Sequence, residues 1–139
     1  MNGKTPAVLT LLATALLVAA VLILQPYSAE PTAAAYAKPA RRYIRAALHQ
    51  DSLALARAST SMRPVNWALR AARQRPDSLA AWSGHMSAVT GEHRGDTTVV
   101  LVFGESRRCS LVPIVLRFVG TGRDARVAQA SSSCLDSAR

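Results

Sequence analysis

Two cysteines, three histidines and fifteen arginines are the side chains of this 139-residue chain with the most distinctive chemistry. Two thiols are too few for a tetrathiolate zinc site, and without a C-x-x-C pair neither has the neighbour that makes a redox nucleophile. A structural disulfide between Cys109 and Cys134 is the expected use. If the last hairpin pairs Val119 with Asp124 across the turn Gly120-Thr121-Gly122-Arg123, the same register sets Cys109 opposite Cys134, within disulfide reach. Such a bridge would close a loop of about 25 residues and contribute about 3 kcal/mol in the chain-entropy account. That register also sets Arg117 opposite Arg126, an unfavourable pair that a bulge would relieve.

The histidines fall on an exposed helix face (His49), after a helix end (His85) and beside a turn (His93), and no two have metal-ligand spacing. They are expected as solvated or core residues, with His85 the one placed to turn between helix and sheet. No G-x-S-x-G elbow occurs, and the eight acids stand singly along the chain. Arg94-Gly95-Asp96 spells a cell-adhesion tripeptide but reads as a hairpin turn, glycine supplying the geometry and the charges facing water. Tyr43, Trp67, Trp82, His85 and Phe103 are the candidate lining of a pocket between helices and sheet, with a plain aromatic core as the other reading. No catalytic residue, metal or cofactor is expected.

With 17 Lys+Arg against 8 Asp+Glu the formal charge is +9, nearly all of it arginine. Arginine forks suit phosphate and carboxylate. The arginines are nevertheless scattered, with no basic run longer than two and no aromatic ladder for bases to stack on, so nucleic acid is not an expected partner. Arg41, Arg42 and Arg45 form the candidate contact for anionic lipid headgroups.

The elements that must position these residues follow from periodicity. Ala7 to Leu24 runs 18 residues without a charge, about 27 Å as a helix, close to the hydrocarbon thickness. Residues 1–5 are then a short tail, 6–25 a transmembrane signal anchor, 26–39 a Pro/Ala-rich tether and 40–139 an exported domain. Cleavage after Ala29 or Ala37, giving a secreted soluble protein, is the competing reading. Lys4 favours a cytoplasmic N-terminus, and the cysteine pair suits an oxidising compartment, which together point to a single-pass protein of a bacterial inner membrane with a periplasmic domain. In that domain Pro39 suits a first helical turn, and apolar residues at Tyr43, Ile44, Ala47 and Leu48 share one face. Asp51 caps a second helix presenting Leu53, Leu55 and Ala56. Pro64 opens a third to Arg75 with the stripe Val65, Ala68, Leu69 and Ala72, and Asp77 caps one more turn. Strands are expected over Met86–Glu92, Thr97–Phe103, Leu111–Val119 and Ala125–Ser132. The fold class is therefore α+β: a transmembrane helix, then three to four short helices packed on a four-stranded antiparallel meander.

The stretch from Tyr43 to Ala56 (YIRAALHQDSLALA) resembles the opening of the cone-shaped nuclear-transport-factor-like (ketosteroid-isomerase-like) superfamily. Pro113 to Val119, with Arg126-Val127, is similar to the last two strands of its sheet. The resemblance spans about residues 40–134, and this chain departs from it in lacking an aromatic near Ala125. The isomerase's acid and tyrosine have no matching motif here. Within that superfamily a single anchor followed by an exported cone is the layout of secretion-channel assembly factors and small envelope proteins, which implies a scaffold role.

The expected function is thus non-catalytic. The exported domain would serve as accessory or scaffold subunit of a larger membrane complex (energy-transducing, photosynthetic or secretion assembly), with other membrane subunits and the lipid bilayer as partners. The alternatives are a small-ligand-binding or enzymatic cone and a secreted soluble protein.

Overall fold

A computed structural model describes residues 32–84, 86–104, 109 and 112–137. Helix α1 (Ala33–Leu48) buries Tyr36, Ala40, Tyr43, Ile44 and Ala47, a stripe at spacings of three and four. Its start corrects the expectation of a tether to residue 39, because Pro39 lies inside the helix. An interior proline costs about 3 kcal/mol. Tyr36 supplies the compensation: it is fully buried, donates a 3.0 Å hydrogen bond to Thr98 and packs on Phe118 with ring centroids 5.3 Å apart. Burial of an aromatic side chain contributes about 1.5–3 kcal/mol and such a hydrogen bond about 1 kcal/mol, enough to offset the proline.

Gln50 closes α1 in the left-handed region, at φ 51°, while the Asp51 N–H donates to the Ala46 carbonyl at 2.9 Å. Asp51 then caps α2 (Ser52–Ala58), its carboxylate accepting from the Ala54 N–H at 2.9 Å. In α2 the buried pair is Leu55 and Ala58. Leu53 and Ala56, expected with Leu55 on the packed face, are exposed, Leu53 by 61%, because the helical turn points both away from the side that Leu55 and Ala58 share. Helix α3 (Met62–Gln74) buries Val65, Trp67, Ala68, Ala71 and Ala72, with Leu69 half-buried beside them. Helix α4 (Pro76–Gly84) starts at Pro76, whose missing N–H is no loss in a first turn.

Four antiparallel strands follow in the order β1 (Met86–Arg94), β2 (Thr97–Gly104), β3 (Ile114–Val119) and β4 (Arg126–Ser131). Gly95, at φ 63°, is the first residue of the two-residue loop between β1 and β2, the place where a type II′ turn requires glycine. A single helical turn, α5 (Ser133–Asp136), follows β4.

The last hairpin departs from the expected register. Val119 opposes Arg126 rather than Asp124, and a bulge then sets Arg117 opposite Gln129, which separates Arg117 from Arg126. The Gly120 N–H still donates to the Asp96 carbonyl at 3.0 Å, one position beyond the Thr97–Val119 pair of the β2–β3 ladder, and the turn that follows is longer than four residues. Residues 122–124 make a 3₁₀ turn before the chain re-enters the sheet.

The helices cover one face of the sheet. Thr98, Val100 and Val102 of β2, Ile114, Leu116 and Phe118 of β3, and Val127 and Ala130 of β4 are buried beneath them. The result is an α+β domain with helices on one side of a four-stranded antiparallel sheet, all of it in one compact unit, Pro31–Arg139. Among the described residues no helix is long and apolar enough to cross a membrane. The expected tail (1–5) and anchor (6–25) lie outside them.

Candidate functional site

Cys109 and Cys134 form a disulfide with their Cα atoms 5.8 Å apart. The two are not a cross-strand pair. Pro113 cannot donate to a ladder and β3 begins only at Ile114, while Cys134 sits in α5. The bridge staples the segment before β3 to the helical turn after β4. Cys109 is buried, in contact with the buried Ser78 of α4 at 3.9 Å.

The candidate pocket residues do not gather round one space. Tyr43 is fully buried and donates a 2.6 Å hydrogen bond to the Pro64 carbonyl, tying α1 to the first turn of α3. Desolvation there pushes its phenol well above the ordinary tyrosine range. Trp82 is fully buried with its indole against Gly104, where a Cβ would overlap the ring. Trp67 donates from its indole N–H to Asp136 at 2.8 Å, and the other oxygen of that carboxylate accepts from the Ser132 N–H at 2.9 Å. Trp67 also lines an open groove of about 800 Å³ between α3 and β4, together with Arg63, Asn66, Arg70, Gln129 and Asp136. Phe103 is half-buried on the opposite face of the sheet, because strand alternation puts it out of phase with Val100 and Val102. His85 lies outside the described residues.

Arg41, Arg42 and Arg45 are all exposed on α1, and Arg42 leads into a separate basic pocket. His49 is exposed, and His93 reaches back with Nδ1 2.6 Å from the Thr98 hydroxyl. Arg94 pairs with Glu92 at 3.1 Å beside the Gly95-Asp96 turn. Among the described residues no group of three or more His, Cys, Asp or Glu is placed to hold a metal ion.

The feature that the sequence reading missed is the second face of the sheet. The register puts Val89 beside Leu101 and Leu101 beside Val115, with Phe103, Val99 and Val119 on the same side. No described helix covers this face. Val89 is 51% exposed and the other five are half-buried. An antiparallel sheet with one wet face normally alternates apolar with polar, and the run Thr97–Phe103 (TTVVLVF) lacks that alternation. This was the available signal. At one end of the face Glu92, Arg94, Thr97, Val99 and Arg117 ring a hollow of about 200 Å³. Arg94 is held by Glu92, which leaves Arg117 as a cation without an ion pair among the described residues.

Neither edge of the sheet offers an easier attachment. The outer edge of β4 is covered where the Thr60 N–H donates to the Val127 carbonyl at 2.9 Å. The β1 edge carries a bulge at residues 91–92 and ends in charged side chains, the devices that discourage strand addition.

No known family, curated protein or solved structure matches the chain. The functional reading therefore rests on the geometry above.

Proposed function

We propose that the domain is the non-catalytic, extracytoplasmic part of a single-pass membrane protein and docks onto a larger membrane complex. The observation that carries this reading is the apolar sheet face that no described helix covers, Val89, Val99, Leu101, Phe103, Val115 and Val119. Contiguous apolar surface of this kind marks an interaction site, and the charged rim favours a protein over lipid tails. The occupant we propose is a segment of another membrane subunit with apolar side chains and a flanking carboxylate, which Arg117 would meet at the rim. The disulfide supports an oxidising compartment. The apolar run Ala7–Leu24 supports the anchor. Kinship with the cone-shaped nuclear-transport-factor-like superfamily is part of the same proposal. It is supported by the Tyr43–Ala56 stretch and the order of helices before strands.

The test is co-purification of the full-length protein from its native membrane in mild detergent, beside a Leu101→Lys, Val115→Glu double variant, whose opposite charges face each other across the strands. The wild type is expected to elute uncleaved, at 14.8 kDa, in fixed ratio with other membrane subunits. The variant is expected to keep its thermal transition and elute alone. A wild type that elutes alone, or a variant that keeps its partners, overturns the proposal.

A further inference from the structure

Four arginines from four separate elements converge on one pocket. Arg42 comes from α1, Arg57 from α2, Arg123 from the 3₁₀ turn and Arg126 from the start of β4. The pocket has a volume of about 330 Å³, and its floor is made by the buried Ala58 and Ala125. Asp124 is the one carboxylate in its lining, so the lining carries three positive charges in excess. None of the four guanidinium groups takes part in an ion pair among the described residues, where the pair found is Arg94 with Glu92. Solvated arginines of one helix face would be spaced along that face. These four instead come from three stretches of chain, Arg42, Arg57 and the pair Arg123 and Arg126, that the fold brings to one pocket.

We infer that this pocket binds a phosphate-bearing anion. Guanidinium forks match phosphate oxygens in bidentate geometry, and several forks around one site favour a tetrahedral phosphate group, with its several oxygens, over a carboxylate, which a single fork satisfies. The volume lies at the lower end of small-ligand sites and leaves room for the group that carries the phosphate. No aromatic lines the pocket, so it has no platform for a nucleobase. The same chemistry fits a phospholipid headgroup and a soluble phosphate compound. The inference does not depend on the docking reading of the sheet face.

The test uses the full-length protein in neutral detergent micelles, with the arginine Nε–H signals followed by NMR. Inorganic pyrophosphate is titrated in one arm and short-chain phosphatidylglycerol in the other. The wild type is compared with Arg57→Ala, Arg123→Ala and with Arg70→Ala, Arg73→Ala, which removes the same charge from α3. The pocket variant is expected to lose about tenfold or more in affinity and the α3 variant less than about twofold. Saturation by pyrophosphate then assigns a soluble phosphate compound, and saturation by phosphatidylglycerol alone assigns a headgroup. Equal losses in both variants, or no saturable shift with either probe, overturn the inference. Thermal transitions of both variants confirm that the exposed substitutions leave the fold intact.

Discussion

Tyr36 and Thr98, 62 positions apart in the chain, are joined by a hydrogen bond of 3.0 Å within the core. The bond fixes the first turn of α1 to the second strand, and Thr98 in turn meets His93 Nδ1 at 2.6 Å. This contact lets a helix begin six residues before its internal proline.

Removing the hydroxyl alone, in Tyr36→Phe, should cost about 1 kcal/mol of unfolding free energy. Tyr36→Ala should cost about 3–5 kcal/mol, since it empties the space against Phe118. Urea titration followed by far-ultraviolet circular dichroism checks both values. Equal costs for the two variants would mean that the ring contributes nothing.

Gly104 faces the Trp82 indole so closely that a Cβ would overlap it. Gly104→Ala should therefore destabilise by about 1–3 kcal/mol and shift the tryptophan emission on folding. An unchanged midpoint in urea would contradict the close approach.

Reduction of the Cys109–Cys134 bridge, or Cys109→Ser with Cys134→Ser, should lower stability by about 3 kcal/mol. The end of the domain where α5 follows β4 should then show the earliest hydrogen exchange. Exchange that accelerates first at the β1–β2 turn would place the effect of the bridge elsewhere.

Tyr43 retains its proton in the folded state at pH values where the unfolded chain has released one, because burial raises its phenol above the ordinary value. The folded state binds more protons there, so stability should fall as pH rises above about 10. Tyr43→Phe should flatten that slope while costing about 1 kcal/mol at neutral pH for the lost bond to the Pro64 carbonyl. A slope that survives in Tyr43→Phe would assign it to another group.

Several of these elements are legible in the sequence. Asp51 reads as a cap and accepts from the Ala54 N–H. The strand expected over Ala125–Ser132 is found at Arg126–Ser131, since alternation and flanking turn residues are local signals. What the sequence hides is non-local. Pro39 marks a helix start by its own propensity, and only the distant partners Thr98 and Phe118 move that start to Ala33. The last register goes with the 3₁₀ turn at residues 122–124, which lengthens the connection between β3 and β4. The bulge that separates Arg117 from Arg126 was suggested by their like charge. The position of Phe103 follows from the phase of β2, which a strand apolar on both faces does not reveal. The uncovered face and the four-arginine pocket are products of that same long-range assembly.

The docking reading is tested most directly by site-specific photo-crosslinking of the full-length protein in its native membrane. A photoreactive residue replaces Leu101 on the uncovered face, with Arg73 on the outer side of α3 as the control. The account predicts a discrete protein adduct from position 101, identified as one membrane subunit, and none from position 73. Adducts only to lipid, or equal protein adducts from both positions, would contradict it.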